Sequence, residues 1–419
     1  MVADMVTDVP DRPDTSHGTP GPARLHALDW LRALALLGVF VFHAVHPFDL
    51  IDWHVKNDQR SFAITLLLLF LFPWGMGFFF LLAGAGSRFA LRSRSARRYL
   101  GERWRRIGLP FLVGSALLGP VQGYVEAVHR GTWSGSPAAY VPAWFGELAS
   151  SALRLDPGIS PRWFGHVGFH LWFLGFLLAF SVLGVPVFRF LERDGARRAI
   201  SRLVGWADRP GGSLLLAVPI TVVHLVLRPA FPAEHDWADF GYLLAFFVTG
   251  YVLVGEPRLL AAVRRDGMVA LAVGVAGFAG LLAGFATGLA ERWVTDPAYN
   301  LESSLVTILF SVYAWSWVVV ALGFGLRARR LQSPPPGWVG TFGMPFYLLH
   351  QPVILVIALF VVQTGASLPV KLAVVLVTSL AATVGLCRLL VRGRLAATLL
   401  GVKSRPAGRA ASPPKAAAA

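Results

Sequence analysis

The 419-residue chain is poor in charge and in cysteine: 15% of its residues are Asp, Glu, Lys or Arg, 55% are hydrophobic, and its single cysteine is Cys387. A soluble globular protein carries about 25% charged residues, so this chain lacks the polar surface that a water-soluble body of its size needs. One cysteine excludes an intrachain disulfide, a cysteine metal site and thiolate-based cofactor chemistry. The short alternating strands of a membrane β-barrel are missing too. In their place stand blocks of about twenty apolar residues, the length a helix needs to cross about 30 Å of hydrocarbon, and a mean hydropathy of +0.59.

The expected fold is all-α, a polytopic helical bundle with ten transmembrane helices near 29–48, 62–87, 107–125, 168–188, 213–229, 238–256, 267–290, 303–325, 343–363 and 369–391. With the N-terminus inside, 29 of the 38 Lys and Arg residues fall in the inner segments and 8 in the outer ones. The positive-inside rule therefore makes both termini cytoplasmic, in a multi-pass protein of the inner or plasma membrane. The net charge of +15 follows from that asymmetry and implies no nucleic-acid partner. Eight arginines between 88 and 106 form a juxtamembrane cluster that suits anionic headgroups. Residues 1–23 and 396–419 have the Pro- and Ala-rich composition of disordered tails around a membrane domain at 24–395. No cleavable signal peptide is expected before the first span. The longest outer connection, about 126–166, holds Trp133, Tyr140, Trp144, Trp163, His129 and His166 and reads as a structured cap.

An ionisable side chain within the bilayer costs about 2.5–3.5 kcal/mol on insertion scales, so each one needs a reason. In the first helix Asp29 and Arg32 are three apart and can pair. His43 lies eleven residues beyond Arg32, which returns it to within about 20° of the same face, roughly 16 Å along the axis. That spacing suits a long anionic ligand whose phosphates sit at Arg32 and whose reactive end meets a side chain able to exchange a proton near neutral pH. In the ninth helix Tyr347 and His350 share a face beside Gln351, either lining a site or bonding between helices. His166 and His170 have metal-ligand spacing but no third ligand in view, so no metal is expected and His170, with Trp172, is placed among the lining residues. Glu126, Asp236, Asp239 and Glu302 are the carboxylates near helix ends; Glu126 joins the lining candidates, and none is singled out as a partner of His43. Trp133, Trp144 and Trp163 have the chemistry to stack on sugar faces or to sit in an interfacial aromatic belt.

The stretch RLHALDWLRALALLGVFVFHAVHPF resembles the opening helix of the membrane-bound type-3 acyltransferases, a basic residue followed by ten others and a histidine. FFFLLAGAGSRFAL, RWRRIGLPFLVG and FGMPFYLLHQPVIL agree in order, and HLWFL with LDWLR looks closest to the glucan-succinylating branch of that family. The resemblance implies acyl transfer from cytoplasmic acyl-CoA, acetyl or succinyl, to a hydroxyl of an extracytoplasmic glycan or related acceptor, with no permanently bound cofactor. It implies that His43 is catalytic, that Arg32 is the conserved basic residue, and that Arg103 and Arg106 form an Arg-x-x-Arg near the donor's phosphates. The planar donor fork of arginine independently suits phosphate oxygens. His43 would act either as the base that takes the acceptor's proton or through an acyl-imidazole. A transporter or flippase exporting an acylated molecule is the alternative reading, and N-acyl transfer is a variant of the first. Oligomeric state, acyl group and acceptor stay open.

Overall fold

The computed structural model describes residues 26–154 and 160–402. Most of them are helical: α1 His26–Val45, α2 Phe62–Arg92, α3 Ala96–Arg103, α4 Leu109–His129, α5 Pro137–Arg154, α6 Arg162–Gly168, α7 Trp172–Leu191 and α8 Asp194–Ala207, then α9 Ala217–Leu227, α10 Trp237–Leu253, α11 Pro257–Ala286, α12 Leu289–Thr295, α13 Leu301–Arg327, α14 Gly337–Val361, α15 Leu368–Leu390 and α16 Arg394–Leu399. No strand occurs among the described residues. Among the described residues, eight helical stretches are long and apolar enough to cross a membrane, and two shorter apolar ones, Gly212–Leu227 and Trp237–Leu253, fall where the remaining two spans were expected. Most of the sequence expected as tails, 1–23 and 403–419, lies outside the described residues; α16, however, carries ordered chain past the boundary drawn at 395.

Apolar side chains such as Leu34, Leu37, Phe72, Met268, Val275 and Val377 point outward, as a lipid-facing surface requires. Between helices, the apolar effect gives little drive, and small residues let backbones approach. The clearest case is α2 against α10, where a Cβ on Gly84 would collide with the Phe247 carbonyl and one on Gly250 with the Leu81 carbonyl. α8 is amphipathic: Val204 and Ala207 are buried while Arg197, Arg198 and Arg202 are exposed, the pattern of a helix lying in an interface.

Three local departures from regular helix set up the site. Residues Trp104–Gly108 form a π-helical turn between α3 and α4, carrying Arg105 and Arg106. The fourth expected span breaks at Phe169, whose φ of 49° is left-handed, so that α6 ends and a short 3-10 turn, Phe169–Leu171, precedes α7. After α1 the chain makes a 3-10 turn at His46–Phe48 and then an ordered non-helical strap to residue 61.

Candidate functional site

At one end of the bundle, Arg32 pairs with Asp29 (Nη1 to Oδ1, 3.3 Å) and donates from Nη2 to the Leu82 carbonyl of α2 at 3.2 Å. One turn further along α2, the Ser87 hydroxyl donates to the Ala83 carbonyl and accepts from both Tyr99 (2.9 Å) and Arg103 Nη2 (3.0 Å). The Arg103 guanidinium also lies over the Tyr99 ring, 5.0 Å from its centroid. Two arginines far apart in sequence thus lean on the same small-residue stretch, AGAGS, and Arg106 stands close enough to Arg103 for their charges to repel. Bringing these like charges together, offset only in part by Asp29 and Glu102, costs energy that a bound polyanion returns.

At the opposite end of α1, His43 Nδ1 lies 3.0 Å from His350 Nε2, and His350 Nδ1 lies 2.7 Å from the Tyr347 carbonyl. A carbonyl only accepts, so neutral His350 carries its proton on Nδ1 and its Nε2 accepts from His43 Nδ1–H. The lone pair of His43 is thereby left on Nε2. His170 joins them, its ring 5.2 Å from His350 and 6.4 Å from His43. Its Nδ1 meets Gln122 Oε1 and its Nε2 the Tyr347 carbonyl, each at 3.2 Å, while Tyr347 donates its hydroxyl to the His170 carbonyl. Gln351 donates to Gln122 at 3.1 Å. Pro352, one turn above Leu348, has no N–H, so the Leu348 carbonyl beside His170 has lost its helical donor. Apart from His43 Nε2, these imidazole nitrogens face one another, carbonyls or an amide, and among the described residues no three His, Cys, Asp or Glu side chains converge on a metal-sized point.

Trp53, on the strap, stacks on His46 (centroids 4.9 Å, 4°) and lies parallel to His43 (6.2 Å, 12°). Buried polar contacts hold the strap: Lys56 Nζ reaches Asp49 Oδ1 at 2.7 Å and the His46 carbonyl at 2.6 Å, and His46 Nδ1 lies 2.6 Å from Asp49 Oδ2. Lys371 of α15 donates to Asn57 Oδ1 at 2.9 Å. Burial pushes the Asp49 carboxyl upward, but the hydrogen bonds and charges of His46 and Lys56 outweigh it and hold it below the usual carboxylate range.

Several expected placements are corrected. His166 and His170 do not share a helical face, because the chain turns at Phe169 between them. Trp172 faces away from the histidine cluster, packing on His235 (4.3 Å) and on Phe176. Burial lowers His235 to about 4, so it is neutral there. Glu126 bonds His54 (2.6 Å) and Arg130 (2.9 Å), not His43. Asp236 caps α10, Asp239 accepts from the His235 backbone and Glu302 pairs with Arg292. Trp144 of the cap is buried, its ring filling the space at Gly119 and Gly123 of α4, so it is not exposed to stack on a ligand. Trp53, His54 and Gln122 went unnoticed: a strap tryptophan and a lone glutamine have no spacing signal.

A bundle of apolar helices with an arginine cluster at one end of a helix and a hydrogen-bonded histidine at the other has the make-up of a multi-pass membrane protein with a polar site at each end of α1. Residues 25–392 match the acyltransferase-3 family, described as an acyltransferase domain, and the chain belongs to that family of acyltransferases. It is similar to "Glucans biosynthesis protein C" of Escherichia coli (strain SMS-3-5 / SECEC), 23% identical over 347 residues that cover 80% of this chain and 84% of the other. No solved structure matches it.

Proposed function

We propose that this acyltransferase moves an acetyl or succinyl group from a CoA-type donor, held at the arginine end, to a hydroxyl of a carbohydrate acceptor at the histidine end. The observation that carries the reading is His43, with Nδ1 engaged by His350 and its Nε2 lone pair open, on the helix that also carries Arg32. Arg103 and Arg106 supply phosphate-binding forks beside Arg32, and the positive-inside rule places that end, with both termini, in the cytoplasm where acyl-CoA is found. A glycan acceptor is supported by the name of the similar glucan biosynthesis protein. His43 then either accepts the acceptor's proton as the hydroxyl attacks the thioester or itself takes the acyl group. His350 fixes its tautomer, and Tyr347 and His170 hold His350 in place.

The test is acyl transfer by purified protein in liposomes with labelled acetyl- and succinyl-CoA supplied separately. Wild type is expected to consume one of them, the preferred donor naming the acyl group, and folded His43→Ala to consume neither. A protein that turns over neither donor, and that His43→Ala leaves unchanged, would favour export of an acylated molecule instead.

A further inference from the structure

If His43 carries the acyl group, it cannot also take the proton of the incoming hydroxyl, and the histidine end then needs a second base. We propose that His54 is that base, set by Glu126, an inference that rests on the acyl-transfer reading above. His54 Nδ1 lies 2.6 Å from Glu126 Oε2. A carboxylate oxygen accepts, so the His54 proton sits on Nδ1 and its lone pair on Nε2, which has no protein partner among the described residues. The carboxylate is itself held: Arg130 Nε reaches Glu126 Oε1 at 2.9 Å, and Arg130 Nη2 reaches Asp52 Oδ2 at 3.1 Å. His54 packs on Phe169 (5.5 Å) and on Trp53 (5.3 Å), the same indole that lies parallel to His43. Two imidazoles, each with Nδ1 engaged and Nε2 open, therefore pack against one indole, Trp53. The left-handed backbone of Phe169 joins the arrangement, placing its ring on His54 and the next residue, His170, on the Tyr347 carbonyl.

The other carboxylate-bound histidine of the strap does not serve. The His46 side chain is 10% exposed, covered by Trp53, and its Asp49 is already neutralised by Lys56, whereas the His54 side chain is 21% exposed.

In the first half-reaction His43 Nε2 bonds to the thioester carbonyl carbon, the C–S bond breaks, and the thiolate leaves with the electron pair and takes a proton from water. The Nδ1 proton of His43 passes to His350 Nε2. In the second, the acceptor's O–H proton moves to His54 Nε2 as its oxygen bonds to the acyl carbon. The N–C bond breaks, His43 recovers its lone pair at Nε2 and its proton from His350, and His54 releases its proton to water. Glu126 is a positioning residue, for it acts only through the His54 tautomer.

The experiment mixes succinyl-CoA, or acetyl-CoA if that is the preferred donor, with full-length protein in liposomes. Free thiol and protein-bound label are followed before and after adding a glucan oligosaccharide. His54→Gln and Glu126→Gln are expected to keep the stoichiometric burst of thiol and the label on protein while steady-state transfer falls about 100-fold or more, with Glu126→Asp recovering part of it. The burst also reports that each variant is folded. Wild-type transfer rates in His54→Gln, equal loss of burst and transfer, or wild-type turnover without labelled protein would each overturn the second base. Absence of thiol release from wild type would instead overturn the acyl-transfer reading itself.

Discussion

At the Arg32 end of α1, guanidiniums rest on a carbonyl and a hydroxyl of α2, and the Arg32 side chain is 47% exposed. Eleven residues on, His43 is held in a shell of imidazoles, amides and carbonyls whose hydrogen bonds, among the described residues, involve no carboxylate and no lysine or arginine. One end of the helix works by charge near water, where salt screens it; the other works by fixed direction, each ring turned by a partner that leaves it one orientation. The comparison teaches that substitutions at the two ends should fail in different currencies, binding at the first and turnover at the second.

The comparison breaks first at His43 if it is wrong. His43→Ala is expected to reduce acyl transfer by about 10³-fold or more, with donor binding by equilibrium dialysis unchanged. His350→Ala sharpens it further, since it touches no substrate in the proposed mechanism: it frees His43 to adopt the wrong tautomer, so turnover should fall about 100-fold with the donor KM unchanged. A raised KM at constant turnover would move His350 into the donor site. Arg103→Lys is the counterpart at the other end. A lysine keeps the charge but loses the fork that holds Ser87 and leans on Tyr99, so the donor KM should rise about tenfold at unchanged turnover, roughly the 1.4 kcal/mol of one weakened charged hydrogen bond. Raising sodium chloride should raise the wild-type KM in the same sense and leave turnover alone.

The same contrast explains what could be read from the sequence. Arg32 and His43 were legible because helical geometry converts a separation of eleven into one face, and both lie on the uninterrupted α1. Tyr347 and His350 were legible as one face of a helix, but their contacts with His43 and His170 span 307 and 177 residues, and no local pattern encodes such pairings. The i, i+4 spacing of His166 and His170 does not become a shared face because helical periodicity breaks at the left-handed Phe169 after Gly168. Arg103 was visible as one of a basic run; its seat on Ser87 and Tyr99 appears only once α3 packs beside α2. Trp53 and His54 sit in a strap without period, and the order of that strap comes from buried ion pairs that sequence spacing does not announce.

Those ion pairs supply the smallest expected effect. Behind Trp53 the strap holds buried charge, Asp49 being fully buried against Lys56 and His46. Because its folded pKa lies below the ordinary value of 3.8, ionised Asp49 contributes stability that is fully present above that value and is lost as pH falls through the lower, folded one. Between pH 5 and pH 3 the wild-type melting temperature should therefore fall, and the Asp49→Asn/Lys56→Gln double variant, which removes both charges together, should fall less, by a difference on the order of 2 °C. Removing both avoids the larger cost of leaving Lys56 buried and alone. If the two proteins lose the same number of degrees, Asp49 is not the titrating group that secures the strap, and the fixed direction of Trp53 beside His43 must come from apolar packing alone.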